Sequence, residues 1–164
     1  MKKLTMVAFA AAAFTALSCS DDDNNTTNNN ATVSGKWMLT AVTASHAVDG
    51  NDDGVSSTNL ITEGGACFTD SYLQFGANHT VANFLSAPML GDACFTAEAD
   101  GEYSVNGNKV TVTVNYEGDN DTTVYTQNGN TLTALVPDFY EVEVTVNGQT
   151  TSDSIDATLV FTKQ

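Results

Sequence analysis

Residues 109–116 read KVTVTVNY and decide the fold class of this chain. Val110, Val112 and Val114 alternate with polar residues, so a β-strand would place the valines on one face and the polar side chains on the other. Such a two-faced strand is typical of an antiparallel sheet that packs on a core and meets water on its other side. Residues 141–146 repeat the alternation with valine on one face and mostly glutamate on the other.

Short polar turns separate segments of this kind. Asn-Gly stands at residues 106–107 and 128–129, and Gly-Ala-Asn at residues 76–78. Asn-Gly between two alternating runs is the strongest short-range hairpin signal, so neighbouring strands should run antiparallel. The predicted strands are residues 35–45, 70–75, 79–85, 100–105, 109–116, 122–127, 131–136, 140–147 and 155–163.

A meander of eight or nine strands has to hide its edges. A flat sheet of that size would leave two unpaired edges and a bare apolar face. We therefore predict an all-β fold in which an antiparallel up-and-down meander of about 8–9 strands closes into a barrel, with a two-sheet sandwich as the alternative. Pro88 and Pro137 both fall in predicted loops, where proline disturbs no strand pairing.

The amino-terminal residues have the features of a secretory signal. Lys2 and Lys3 precede an uncharged apolar run, residues 4–16, which is too short to span a bilayer. Residues 16–19 read Ala-Leu-Ser-Cys and resemble the lipobox of bacterial lipoproteins. The resemblance implies that residues 1–18 are a signal peptide and that Cys19 becomes the acylated, palmitate-carrying amino terminus. The alternative is an ordinary signal peptide with Cys19 as a free thiol.

Residues 19–33 are rich in Asp and Asn and predict a disordered tether, because such polar sequence cannot offset its ordering entropy. Ser20 after the cysteine resembles lipoproteins sent to the outer membrane. The acidic triplet at residues 21–23 resembles signals that place lipoproteins on the cell surface. The expected location is therefore the outer membrane, lipid-anchored and surface-exposed, with the periplasmic face as the alternative. Residues 34–164 suit one domain.

The charge of the chain excludes some partners. Asp and Glu number 20 against five lysines, and there is no arginine. Without the two lysines of the signal, three lysines face 20 acids, a formal charge of −17. Nucleic acids and anionic lipid surfaces need clustered cations, so neither is an expected partner. The composition does not indicate an oligomeric state.

Cys67 and Cys94 are the cysteines of the predicted domain. An even count in an oxidising compartment predicts a disulfide between them. Two buried free thiols are the alternative. A metal site is less favoured, because neither cysteine has a second Cys or a His at ligand spacing.

Gly-Lys-Trp at residues 35–37 opens the first predicted strand, and residues 159–163 (LVFTK) end the last one. Together these segments resemble the lipocalins, in which a Gly-x-Trp seals the closed end of an eight-stranded barrel and a basic residue of the last strand packs over the indole. The resemblance covers residues 33–164. It implies that Gly35, Trp37 and Lys163 close the barrel, with Lys163 in cation–π contact where the family usually has arginine.

Residues 49–54 read DGNDDG and match the first half of an EF-hand calcium loop. There, oxygens at positions 1, 3 and 5 converge on the ion and a glycine at position 6 permits the turn. Leu60 stands at position 12 in place of the bidentate glutamate. The alternative is a polar turn without an ion. The candidate ligands of a weak calcium site are Asp49, Asn51, Asp53, Val55 through its carbonyl, and Glu63.

Catalytic motifs are scarce, and we predict that the protein is not an enzyme. The sequence contains no Gly-x-Ser-x-Gly elbow, His-Glu-x-x-His pair or glycine-rich phosphate loop. One hypothesis is a barrel that binds a small apolar or amphipathic ligand. The other is a structural or accessory protein of a surface assembly with a filled barrel. Bulky aromatic residues on the predicted inward faces favour a shallow or absent cavity: Tyr72, Phe75, Phe84, Tyr103, Tyr116, Tyr125, Phe139 and Phe161.

Overall fold

The computed structural model describes residues 32–51, 53–63, 65–88, 94–146 and 149–164. Nine strands and three short helical segments run through these residues. The strands are Gly35–Val48 (β1), Ser57–Asn59 (β2), Tyr72–Phe75 (β3), Thr80–Pro88 (β4), Cys94–Asn106 (β5), Lys109–Tyr116 (β6), Asp119–Asn128 (β7), Thr131–Val146 (β8) and Gln149–Lys163 (β9). The helical segments are α1 (Leu60–Glu63) and the 3-10 helices Gly65–Asp70 and Ala77–His79.

The strands form one antiparallel meander that closes on itself. β3 to β9 pair in chain order, and β1 pairs with β3 on one edge and with β9 on the other. The β1–β9 register runs from Trp37 opposite Lys163 to Ala44 opposite Ala157. Eight strands therefore make a closed barrel. The ninth, β2, is an extra strand that pairs with the C-terminal half of β1. The predicted all-β barrel is confirmed, and the sandwich alternative is wrong.

The alternation of residues 109–116 works as predicted. Val110, Val112 and Val114 are buried inside the barrel. Thr113, on the opposite face of β6, shares a hydroxyl–hydroxyl hydrogen bond of 2.9 Å with Thr122 of β7. Each buried valine stabilises the fold by about 1.5–3 kcal/mol relative to exposure, so the inner face of β6 contributes substantially to the core.

Two of the predicted hairpins depend on glycine. Gly107 and Gly129 have φ values of 60° and 57°, in the left-handed region that glycine enters without a steric penalty. They occupy the turns between β5 and β6 and between β7 and β8. The Asn-Gly pairs in the sequence therefore marked both turns correctly.

Strand β8 differs from the prediction. Residues 131–136 and 140–147 were expected to be two strands, but Thr131–Val146 is one strand with a shift of register between Val136 and Tyr140. Pro137 was expected in a loop and lies inside this strand. Asp138 takes a φ of 49° there, and its N–H donates to Asp156 Oδ1 at 3.0 Å. The extra residues are therefore accommodated in a bulge, where proline removes no ladder hydrogen bond.

Other predictions meet the limits of the described residues. The helical segments α1 and Gly65–Asp70 were not anticipated, and Pro88 closes β4 although a loop was expected there. The predicted signal peptide (residues 1–18), the predicted lipidation site Cys19 and most of the predicted tether (residues 19–33) lie outside the described residues. Among the residues that are described, no helix has the length and apolar character needed to cross a membrane.

The predicted disulfide is confirmed. Cys67 and Cys94 are joined with a Cα–Cα distance of 5.5 Å, and their sequence separation is 27. The bond ties the 3-10 helix Gly65–Asp70 to the first residue of β5. It therefore holds the long connection between β1 and β3 against the barrel.

We expect the double variant Cys67→Ser/Cys94→Ser to lose roughly 3–4 kcal/mol of unfolding free energy, because a covalent loop of this length restricts the unfolded chain. Urea unfolding followed by tryptophan fluorescence measures the loss. Wild type treated with a reductant should match the double variant. Equal midpoints for oxidised wild type and double variant would contradict the prediction.

Candidate functional site

One end of the barrel is sealed by Trp37. Its indole is fully buried, and its N–H donates to the carbonyl of Val33 at 2.7 Å. The ring meets Phe75 edge to face with centroids 6.4 Å apart. Lys163 places its ammonium 5.5 Å from the indole centroid and donates a hydrogen bond to the carbonyl of Thr32 at 2.6 Å. We call this the closed end, since its interior holds packed side chains.

Gly35 is favoured by its backbone conformation at the start of β1. Its φ is +114°, in a region that residues with a Cβ rarely adopt. A Cβ added there would lie 3.5 Å from Cε of Lys163, which is an ordinary van der Waals contact. The three residues that the lipocalin resemblance singled out, Gly35, Trp37 and Lys163, are brought together at one end of the barrel.

The other end is partly covered by a lid, which consists of residues 60–63 and 65–70 in the connection between β1 and β3. Phe68, on the 3-10 helix Gly65–Asp70, is fully buried. Its ring lies 6.0 Å from that of Phe139 and 5.9 Å from that of Tyr140, both on the bulged part of β8. Burial raises the pKa of the Tyr140 phenol. The lid therefore gives this end an apolar, aromatic side.

A buried serine pair fixes where the lid leaves the barrel. Ser71 Oγ donates to the carbonyl of Ser86 at 3.1 Å, and the Ser86 N–H donates to Ser71 Oγ at 2.9 Å. Both side chains are almost fully buried. Because each polar group finds a partner, the pair can be buried without an unpaired donor, and it clamps the end of β4 to the residue that precedes β3.

Polar side chains meet on the opposite wall of the open end. Asn83 of β4 donates to the Tyr116 hydroxyl of β6 at 2.9 Å. Strand β5 lies between these two strands, and its residues at this level are the small Ala99 and Gly101. Side chains of next-nearest strands converge only on the concave side of a curved sheet. The Asn83–Tyr116 hydrogen bond therefore lies inside the barrel.

The electrostatics of this wall involve β7 as well. Burial raises the pKa of Tyr116, and the carboxylate of Asp121 raises it further. The pKa of Tyr125 is raised by burial, by Asp121 and by Tyr116, while a hydrogen bond with Thr123 lowers it. Both phenols are thus protonated at neutral pH, and the Tyr116 hydroxyl can donate one hydrogen bond while it accepts the one from Asn83. We call Asn83, Tyr116, Asp121 and Tyr125 the inner polar cluster.

The wall beside this cluster is open on one side. β7 and β8 pair only from Thr126 opposite Thr133 to Asn128 opposite Thr131, although residues 119–146 are described without a gap. Continued in the same register, Val124 would oppose Leu135, yet these two side chains are 51% and 67% exposed. The barrel therefore has a seam between β7 and β8, flanked outside by two aliphatic side chains.

Two of the aromatic residues expected inside the barrel face outward. Leu73 and Phe75 of β3 are buried and alternate with Tyr72, so the Tyr72 ring lies on the outer surface. Phe84 is its cross-strand partner, and the two rings stack at 5.3 Å. The inward assignment of Tyr72 and Phe84 was therefore wrong, because register rather than hydrophobicity decides the face. Phe75, Tyr125 and Phe161 are buried as expected.

The acidic loop folds around its own backbone. Asp49 accepts the N–H of Asp53 at 3.1 Å and that of Gly54 at 2.9 Å through its two oxygens. Asn51 also accepts the Asp53 N–H, and Asp53 accepts the N–H of Val55 at 2.7 Å. These side-chain oxygens form turns of the kind that Asp and Asn make without any ion.

Glu63 stands apart from the other candidate calcium ligands in its role. It is only 5% exposed, and its Oε2 accepts the N–H of Gly50 at 3.1 Å. Through this hydrogen bond, Glu63 attaches the start of the acidic loop to α1. Across the described residues, which do not include Asp52, no three acidic, histidine or cysteine side chains are grouped to hold a metal ion. The calcium site stays a prediction.

An eight-stranded antiparallel meander that closes on itself, with a buried tryptophan sealing one end, defines an up-and-down β-barrel. The sequence model of the family described as lipocalin-like domain matches residues 33–134. The chain therefore belongs to the lipocalin-like domain family. The match ends within β8, and the structure shows that β9 completes the same barrel. No curated protein matches the chain.

Sequence reasoning missed the inner polar cluster and the lid. A signal for the cluster was present, because Asn83 interrupts the apolar face formed by Val81 and Leu85 in a predicted strand. A polar residue on an inward face has to find a partner, which directs attention to Tyr116. The lid had no comparable signal, since residues 60–70 show neither helical nor strand periodicity.

The calcium prediction is tested by thermal unfolding. If Asp49, Asn51 and Asp53 hold an ion, calcium should raise the melting temperature in a concentration-dependent way, because it binds only the folded loop. Magnesium should have less effect, since it gives up its waters reluctantly. Asp53→Ala should remove the calcium effect. Coincident melting curves with calcium, magnesium and chelator at matched ionic strength would show that the loop is a polar turn.

Proposed function

We propose that this protein is a lipoprotein, anchored to the outer membrane through acylated Cys19 and exposed at the cell surface, whose barrel binds a small amphipathic molecule at its open end. The proposal is for binding without catalysis. The inner polar cluster carries the proposal. A few convergent polar groups within an apolar enclosure are what small-molecule sites use to orient a ligand.

The open end offers two chemically different walls. Phe68 and Tyr140 supply an aromatic wall on the lid side. Asn83 and Tyr116 supply hydrogen-bonding groups on the other side. An amphipathic molecule would place its apolar part against the lid and its polar head against the cluster. The seam between β7 and β8 leaves space at this level that the strand pairing does not close.

The charge of the cluster favours a neutral head group. Asp121 lies near both phenols and contributes to their raised pKa values. A carboxylate head would meet this charge and the formal charge of −17 on the chain without its predicted signal, and like charges at short range in a low-dielectric site repel strongly. A hydroxyl head could accept from Asn83 or from Tyr116 without that repulsion.

A second hypothesis also has an observation in its favour. The closed end is filled by large, fully buried side chains, among them Trp37, Phe75 and Leu132. If similar packing continued upward, the barrel would be a rigid scaffold for a surface assembly. The two hypotheses differ in whether the open end takes up a ligand in saturable fashion.

A binding experiment separates them. For residues 20–164, calorimetric titration with 1-decanol should show saturable binding at least about tenfold tighter than with decanoate, which corresponds to about 1.4 kcal/mol. Asn83→Leu and Tyr116→Phe should each weaken decanol binding. Thr111→Val, which changes the outer face of β6, should not. Native mass spectrometry of gently purified protein should retain an organic ligand. A barrel that binds neither compound and retains nothing would favour the scaffold.

The anchor is tested separately. Cys19→Ser should abolish incorporation of a labelled palmitate analogue and move the protein from the membrane to the soluble fraction, because one thiol carries the attachment. Protease treatment of intact cells should cleave the wild-type protein if it is surface-exposed. Persistent membrane association of the variant would contradict the anchor, and protection from protease would place the domain on the periplasmic face.

A further inference from the structure

The outer face of β3, β4 and β5 carries a row of side chains that ends in an unpaired acid. Tyr72 lies opposite Phe84, and Phe84 lies opposite Glu98. The Tyr72 and Phe84 rings stack with an angle of 15° between their planes. On the far side of Tyr72, the ammonium of Lys36 lies 3.9 Å from the ring centroid. The row therefore runs from a cation through two aromatic rings to a carboxylate.

A depression of about 330 Å³ lies at the acidic end of this row. Its lining residues come from the two aromatic residues of the stack and from neighbouring positions of β4 and β5: Tyr72, Ala82, Asn83, Phe84, Glu98, Ala99 and Asp100. The small side chain of Ala82, which pairs with Asp100, leaves the space beside Phe84. Five of its seven lining residues share the outer face of β3, β4 and β5, so the depression opens on the outside of the barrel, and Asn83 is the residue that it shares with the inner polar cluster.

The two carboxylates at this depression have no internal counterion. Glu98 and Asp100 are exposed and share one face of β5. Among the described residues, neither side chain makes a hydrogen bond or an ion pair, while both backbones belong to the β4–β5 ladder. Two like charges two residues apart on one strand face repel each other, and a cation placed between them would relieve the repulsion.

The contact between Lys36 and Tyr72 indicates which kind of group could bind beside Phe84, at the other end of the row. A cation already occupies the outer face of the Tyr72 ring, as the negative face of an aromatic ring favours. The corresponding position beside Phe84 is occupied by no side-chain cation among the described residues. It has in addition the two carboxylates that the Lys36 position lacks. A cation with an apolar body would satisfy both the ring and the acids.

We propose that this depression binds a small organic ammonium ion, held by its charge against Glu98 and Asp100 and by its methyl or methylene groups against Phe84. An alkylammonium or quaternary ammonium ion has the required chemistry, because it is weakly hydrated and carries apolar groups next to its charge. A bare metal ion would use the carboxylates but gain little from the ring. This site is independent of the ligand proposed for the inside of the barrel.

The test compares choline with its neutral isostere, 3,3-dimethylbutan-1-ol. The full-length protein is purified in a detergent with an uncharged head group and titrated at low ionic strength, with backbone amide shifts recorded by NMR. Choline should produce saturable shifts in β4 and β5 around Phe84 and Glu98. The alcohol should bind at least about tenfold more weakly, because it lacks the charge. Added salt should weaken choline binding.

Variants locate the site. Glu98→Gln and Phe84→Leu should each reduce choline affinity about threefold or more, in the range that a single ion-pair or cation–π contact contributes. Glu102→Gln is the matched control, since Glu102 is the next outward acid on β5 and does not line the depression. Ala82→Leu should block binding without changing the charge. Tyr116→Phe, which changes the inner polar cluster at a residue that does not line the depression, should leave the sites of the choline-induced shifts unchanged.

The outcomes are distinct. Equal affinity for choline and the alcohol would overturn the proposal, because the charge would then have no role. Equal losses from Glu98→Gln and Glu102→Gln would also overturn it, since they would indicate diffuse attraction to an acidic protein. Circular dichroism and melting temperatures identify any variant that fails to fold. If Phe84→Leu does so, Ala82→Leu and Glu98→Gln still decide the question.

Discussion

Hydrogen bonding between β1 and β9, the first and last strands, closes the sheet, and the rest of the molecule depends on it. Their pairing, from Trp37 opposite Lys163 to Ala44 opposite Ala157, brings both ends of the domain together. Without it, β9 and β1 would each present an unpaired edge and the inner face would be exposed to water. The same register places Lys163 beside the indole of Trp37. The pairing of β1 with β9 therefore both closes the sheet and seals one end of the barrel.

Closure at one end leaves the other end free for different chemistry. At the closed end, aromatic packing around Trp37 fills the interior. At the open end, strands diverge: β8 separates from β7 beyond Thr133, and it continues as a hairpin with β9. The disulfide and the serine pair hold the lid over part of this end. Rigid closure on one side thus supports a more open arrangement on the other, which is the asymmetry that a ligand-binding barrel requires.

Much of the fold followed from local pattern, and the exceptions have physical causes. Alternation at residues 109–116 and the Asn-Gly turns depend on neighbours in sequence, so both could be predicted. The Cys67–Cys94 bond followed from the number of cysteines and the expected compartment.

Other features depend on contacts that are distant in sequence. The face that Tyr72 occupies is set by its register with β4, and the apolar sequence around Tyr72 does not specify that register. The bulge at Pro137 likewise depends on Asp156, a residue of another strand. For the site, Asn83 could have been noticed as a polar residue on an apolar face, but its partner in β6 could not be identified from spacing.

The three lysines of the domain show how its acidity is used. Lys36 lies over Tyr72, Lys109 donates to the Thr126 hydroxyl at 2.7 Å, and Lys163 contacts an indole and a backbone carbonyl. Within the described residues, these cations thus meet aromatic rings and uncharged oxygens, so they do not neutralise the carboxylates. Most of the negative charge therefore remains at the surface, where water and dissolved ions screen it. A dissolved cation gains specifically only where carboxylates adjoin an apolar surface, because there the charge and the body of the ion both find partners. The face of Phe84 beside Glu98 meets that condition, which is why a site for an organic cation is expected there rather than at the other exposed acids.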